Sequence, residues 1–319
     1  MKPMFTYLLN DRAYTAHSLA EDLSFAPNQP LVFDLAYLGV LDLLGEMAAT
    51  YLQGQITCDV LTVTPQQMKS GALCNLQGRI MALLDVVQWK GLHLVLPQDL
   101  LLFTQQSLNK SAVFSRVTIE INTEISFLGL YIPNKTMAAD LSVHLPNVIG
   151  QVTQTEAFCI YALSDTLFLV MIQAEKKADF LADYAFLQLR GSLAWHYLEL
   201  QIPRFYIYPN TRGIFLPHRL GLQHTSYISF NKGCYKGQEI IARTHYRATI
   251  KHELRSFTVK SNEPIFAGQK IYDSNQQTEI GEIIDYCPIE AQHYFLVVSI
   301  LIAHHKEIHL EQHQQPIIT

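Results

Sequence analysis

The stretch Asn231-Lys232-Gly233-Cys234-Tyr235-Lys236-Gly237-Gln238-Glu239-Ile240-Ile241-Ala242-Arg243 gathers more chemistry than any other part of the chain. Two glycines bracket a cysteine, so the backbone is expected to turn sharply and to let a ligand approach closely. Gln238 to Thr244 has helical character, which puts Cys234 just before a helix N-terminus. The helix dipole, with Lys232 and Lys236 alongside, would then favour the thiolate, the nucleophilic form of the side chain. Arg243 and Arg247, four apart, extend a positive strip along the same helix. The competing reading is a tight turn around a cysteine that only packs. A Cys234–His245 dyad for proteolysis has neither an orienting third group nor an oxyanion hole in the sequence.

Other chemistries find less support. His305, His309 and His313 recur every four residues, with His304 alongside, but no cysteine or carboxylate stands in register, so no metal site is expected. The chain has no GxGxxG, GxxxxGK[ST], HExxH or GxSxG. Nucleotide phosphate cradles, zincin proteolysis and α/β-hydrolase chemistry are therefore unsupported. The five cysteines (Cys58, Cys74, Cys159, Cys234, Cys287) are odd in number, widely spaced and free of CxxC, which fits reduced thiols rather than a disulfide framework.

These residues sit in 319 residues with 49% hydrophobic and 16% charged side chains, enough to build a large core and too apolar for disorder or a coiled coil. Apolar runs are too short to span a bilayer, and no signal-peptide pattern opens the chain, so a soluble cytoplasmic protein is expected. A net charge of −5 argues against a broad nucleic-acid face and predicts no salt-sensitive affinity for bulk tRNA.

Periodicity gives the positioning elements. The first thirty residues read as polar and irregular. A strand starts at Leu31, and a helix over Glu46 to Gln53 closes at Gly54. Strands at Gly71–Leu76 and Ile80–Trp89 join at Gln77-Gly78, with a third at Leu92–Leu96. Pro97–Lys110 reads as a helix, Val117–Ile125 and Leu128–Ile132 as strands, and Ala138–Leu145 as a short helix. Tyr161–Ile172 reads as one apolar strand and Glu175–Leu189 as the clearest helix. Past Arg247 the chain turns to short strands separated by turn residues, a small antiparallel barrel or sandwich. The fold class is α+β: two mixed subdomains over residues 1–247, then a C-terminal antiparallel β-barrel over 248–319.

The segment Lys232–Arg243 resembles the signature of the YgfZ proteins, folate-binding relatives of the glycine-cleavage T-protein aminomethyltransferase. Tyr51-Leu52-Gln53-Gly54-Gln55-Ile56-Thr57-Cys58-Asp59-Val60 resembles that family's YxQGQxTxDV segment, and Cys74-Asn75-Leu76-Gln77-Gly78-Arg79 resembles its hairpin. The resemblance runs in register through residue 247 and implies two α+β subdomains and a barrel around a central tetrahydrofolate site. In the family two tryptophans line that site: Trp195 matches one, and Leu38, with Tyr37 adjacent, stands where the other belongs. Glu199 matches a family glutamate, and a carboxylate suits the paired N–H groups of a pterin. Arg243 is expected at the cofactor as well. Asn75 replaces a usual aspartate, and His218 and Gly221 stand at altered positions, which marks a divergent member.

The resemblance thus implies a protein that binds tetrahydrofolate or a one-carbon derivative. Its Cys234 thiol, supported by Lys232 and Lys236, would serve iron–sulfur enzymes or their assembly factors and thereby tRNA modification. The alternative is a folate-dependent aminomethyl transferase, and a third reading is direct RNA binding.

Overall fold

The computed structural model describes residues 4–26, 28–134, 141, 144–302, 307–312 and 317–318. Two antiparallel-rich sheets carry the first 190 residues or so of the chain. The five-stranded sheet runs Lys69–Cys74, Ile80–Gln88, Leu92–Pro97, Leu38–Leu44, Thr118–Asn122 in spatial order. The six-stranded sheet runs Val152–Gln154, Phe158–Ala162, Leu167–Gln173, Ile125–Tyr131, Leu31–Asp34, Gln188–Arg190. The chain passes from the second sheet to the first through Leu35–Tyr37 and returns through residues 123–124. One core cluster continues from these sheets into the C-terminal strands, and a smaller one covers the other face of the six-stranded sheet.

Three elements differ from the sequence reading. The N-terminus is a hairpin, Phe5–Leu9 with Arg12–Ala16, closed by Asn10 and Asp11 at φ 47° and 69°. Two left-handed residues make the turn that matches strand twist. Its inward row is Arg12, Tyr14 and Ala16, and the buried arginine hides the alternation. Tyr161–Ile172 is not one strand but two, because Ser164 Oγ accepts from the Thr166 and Leu167 amides and folds the chain back. Glu175–Leu189 is helical only over Lys177–Asp183 after a 3₁₀ turn, and Gln188–Arg190 instead pairs in parallel with Leu31–Phe33. Tertiary pairing overrides a weak local preference here.

The helices at Gln98–Ala112 and Gln238–Arg247 lie where the periodicity put them. The expected Ala138–Leu145 helix falls mostly outside the described residues. The C-terminal strands form one antiparallel sheet in the order His252–Lys260, His293–Leu301, Glu279–Glu290, Lys270–Tyr272, Glu307–Leu310, Ile317–Ile318. Among the described residues its edge strands do not pair with each other, so the expected barrel is a curled half-barrel. No described helix is long and apolar enough to cross a membrane.

Candidate functional site

The three stretches singled out in the sequence meet in space. The Lys236 amide donates to Gly54 O at 3.1 Å, and the Ser229 amide to Thr57 O at 3.0 Å. The Lys232 ammonium donates to Ile56 O at 2.8 Å and Cys58 O at 2.7 Å. Gly237, the helix N-cap at φ +83°, lies so close to the hairpin that a Cβ there would stand 2.5 Å from Asn75 O. Only glycine fits that position. Asn75 itself is a turn residue, its Oδ1 accepting the Arg79 amide at 2.9 Å, a bond that an aspartate carboxylate would accept as well.

Cys234 is exposed at the tip of this assembly, whereas Cys58, Cys74, Cys159 and Cys287 are buried. Burial pushes the Cys58 and Cys74 thiols up to about 12, against the opposing charges of Lys232 and Lys236 respectively. The cysteine nearest a helix start is thus also the accessible one. Lys232 departs from its expected role. Its ammonium is half-buried on two carbonyls and 5.0 Å from the Tyr235 ring centre, and desolvation pushes it down to about 8. It anchors the loop rather than standing free beside the thiol. Lys236 holds the loop through its backbone. Gly233 has no neighbour within 4 Å of a built Cβ and no positive φ, so it leaves open space beside the cysteine rather than shaping the turn. His245 does not face Cys234 as a base; its ring stacks on Phe230 at 3.8 Å.

The residues expected at the folate lie elsewhere and divide into four groups. Glu199 and Tyr37 come together: the Tyr37 hydroxyl donates to Glu199 Oε2 at 3.0 Å. Arg204 Nε donates to Glu199 Oε1 at 3.0 Å, and Arg204 Nη2 to Asp85 Oδ2 at 2.6 Å. Ser70 and Tyr161 hydroxyls also donate to Asp85, at 2.7 and 3.0 Å. Glu199 is wholly buried, not a helix-surface carboxylate. Burial lifts it above the usual carboxylate range, and Arg204 opposes the rise. Burial also works against the Arg204 charge, but Asp85, Tyr206, Tyr227 and Glu199 together more than offset it and the guanidinium stays charged.

Trp195, one helical turn before Glu199, is wholly buried and packs on Phe33 at 5.6 Å and over Gly129. It is a core side chain in this structure, not an open cavity wall, because Gly129 leaves the ring room to lie flat on the sheet. Leu38 is buried at the edge of a separate 310 Å³ cleft. Arg243 points outward and pairs with Glu239 at 2.8 Å, away from the buried network. Sequence reading missed Arg204, Asp85 and Tyr227. The signal present was a lone arginine two residues before a run of tyrosines, Arg204 to Tyr208.

Arg204, Tyr227, Ser70 and Lys69 face a 300 Å³ cleft whose other walls are Met68, Ile149, Leu163 and Ile202. Thr57 ties this cleft to the cysteine loop: its hydroxyl donates to Tyr227 O at 2.6 Å, and its carbonyl takes the Ser229 amide. His309 is a buried strand residue beside Gln276, His304, His305 and His313 lie outside the described residues, and no three metal-binding side chains cluster among those described.

This chain is 28% identical over 236 residues to the tRNA-modifying protein YgfZ of Colwellia psychrerythraea, covering 73% of each. It is 31% identical over 253 residues to that of Hamiltonella defensa, covering 76% of this chain and 75% of the relative. It is 31% identical over 222 residues to that of Yersinia pestis, covering 67% of each. The chain belongs to the YgfZ family. No family model matches it. The glycine cleavage system aminomethyltransferase T of Bartonella henselae superposes with a TM-score of 0.72 over 99% of this chain and 92% of that one. At 14% identity the likeness is one of fold. The T-protein-like fold accounts for the two sheets and the half-barrel.

Proposed function

We propose that this YgfZ-family protein binds a reduced folate and works in tRNA modification, with Cys234 as its reactive thiol. The observation that carries the reading is the joining of the Arg204 cleft to the cysteine loop through the Thr57 segment. The cleft suits a flat heteroaromatic ring: Met68, Ile149 and Ile202 give apolar walls, while Arg204, Tyr227 and Ser70 give polar edges. Lys69 at the same cleft is the natural counter-charge for the carboxylates of a folate tail. Tetrahydrofolate supplies a carrier for a one-carbon unit. Trp195 and Arg243 have no part in this site, and Glu199 and Tyr37 support it from behind by holding Arg204 and each other. The function is exercised, in this reading, toward iron–sulfur enzymes that modify tRNA, with the subdomains over 1–247 and the module over 248–319 framing the site.

Aminomethyl transfer is the weaker reading. It needs a carboxylate free to act beside the folate nitrogen. Asp85 and Glu199 are both bound by Arg204, and Asn75 is held in its turn.

Calorimetric titration with tetrahydrofolate tests the proposal. Wild type should bind, and Lys69→Glu should bind about tenfold more weakly, a loss of about 1.4 kcal/mol. Equal affinity in the two proteins would remove the cleft from the reading, and no binding by wild type would remove the folate.

A further inference from the structure

The outer face of the Gln238–Arg247 helix combines features that the folate reading does not use. Phe230 stacks on His245 at 3.8 Å and 18°, and Tyr246 packs edge-on against His245 at 4.8 Å. Tyr246 nonetheless keeps 69% of its surface exposed, far more than a packing tyrosine would. Arg243 and Arg247 flank it on the same helix, both exposed. From Lys236 to Lys251 the chain carries four cations and one carboxylate, Glu239, whereas the whole protein has a net charge of −5. Glu239 lies at the far end of the helix, already paired with Arg243.

We propose that this helix face is a docking platform for a single-stranded segment of RNA. The inference rests on the tRNA-modification reading and supplies the contact surface that reading lacks. An exposed aromatic ring braced by two others offers a face on which a base stacks, and flanking guanidinium groups take phosphates. An acidic protein would satisfy the arginines but would leave the tyrosine face unused. Single strands are favoured over duplex because paired bases keep their faces inside the helix. The acidic remainder of the surface confines the contact to this patch. At 1.5 Å per residue the helix is about 15 Å long. It begins four residues after Cys234, so an RNA strand lying along it runs from the Tyr246 platform toward the exposed thiol.

Fluorescence anisotropy with a short unstructured RNA oligonucleotide, free and annealed to its complement, tests this at several salt concentrations. Tetrahydrofolate titrations are run on the same samples. Wild type should bind the single strand about tenfold more tightly than the duplex. Tyr246→Ala should weaken the single-strand complex about tenfold. Arg247→Ser should reduce the salt slope by about 0.7, one phosphate contact. Both side chains are exposed, so thermal midpoints should not move. RNA affinity unchanged in both variants, or no RNA binding by a wild type that still binds folate, overturns the platform and leaves the folate reading standing. Competition by polyglutamate at equal charge would make the patch an acidic-protein site and overturn it too. RNA binding without folate binding would instead sink the folate reading alone.

Discussion

Cys234 stands apart from the other four cysteines by exposure, and burial holds two of those, Cys58 and Cys74, up near 12. Reactivity follows access and thiolate content. Cys234 should therefore be the first thiol alkylated in the native protein, read by mass spectrometry of partially labelled samples. Cys234→Ala should leave the fold intact, because no cavity opens at an exposed position. The same variant should fail to restore iron–sulfur enzyme activity in cells lacking the protein. Labelling only after denaturation, with full complementation, would reduce the cysteine to a packing role. The cysteine was legible in the sequence because glycine spacing and neighbouring lysines mark it. The part played by Lys232 was not, since nothing in the sequence tells that its ammonium would find two carbonyls of a segment 174 and 176 residues away. His218 gives a second prediction at this scale. It is buried with neither ring nitrogen partnered, and burial followed by the charges of His245 and His224 pushes it down to about 4. Unfolded, it titrates near 6.5. Between those values the unfolded chain binds the extra proton, so stability falls as pH drops through that window, by about 1.4 kcal/mol per pH unit. Denaturant melts of His218→Phe at several pH values should lack that slope.

Elements decide which substitutions in the cysteine loop matter. Gly237 caps the helix at φ +83° against Asn75 O, whereas Gly233 stands in open space at an ordinary φ. Gly237→Ala should cost about 2 kcal/mol or more, from left-handed strain plus the displaced hairpin. Gly233→Ala should change stability by less than about 0.5 kcal/mol. Chemical denaturation of the two proteins separates them, and equal losses would contradict the docking of loop on hairpin. Both glycines look alike in sequence, and only the neighbour's backbone tells them apart. The same limit explains the misread elements. The Gln98–Ala112 helix was legible because its buried face, Leu100, Leu101, Thr104 and Leu108, repeats at helical spacing. Gln188–Arg190 carries no such pattern; it is a strand because Leu31–Phe33 offers a free edge. Trp195 belongs to this scale too. With Gly129 beneath it, Gly129→Ala would bring a Cβ to 2.4 Å from the indole and should destabilise by about 1–3 kcal/mol. Folate affinity should survive in whatever fraction remains folded. A loss of affinity at full stability would return Trp195 to the ligand site.

Across the whole molecule, one arginine joins elements that the sequence keeps far apart. Arg204 binds Asp85 of the five-stranded sheet and Glu199 of the Ser192–Gln201 helix, and Tyr161 of the six-stranded sheet completes the Asp85 shell. Tyr37, from the link between the sheets, completes the Glu199 shell. The mixed α and β character and the C-terminal run of antiparallel strands could be read from local pattern, but this network could not, because each member is an ordinary polar residue until the sheets assemble. Removing the arginine leaves two buried carboxylates facing each other without a cation, and breaking such a pair costs about 3–5 kcal/mol. Arg204→Met should therefore lose that much at neutral pH. The sign of its pH dependence follows from Glu199, which burial already lifts and which loses its main opposing charge in the variant. A carboxyl raised in the folded state is stabilising when protonated, and that stability is lost as pH rises through its folded value. Carried in His218→Phe, so that His218 does not offset it, Arg204→Met should thus regain stability as pH falls from 7 toward 5, opposite to the contribution His218 makes in the wild type. Melts of both proteins across that range read the crossing. A variant that stays as stable as wild type at pH 7, or that weakens further in acid, would show that the buried carboxylates do not depend on Arg204 for their charge.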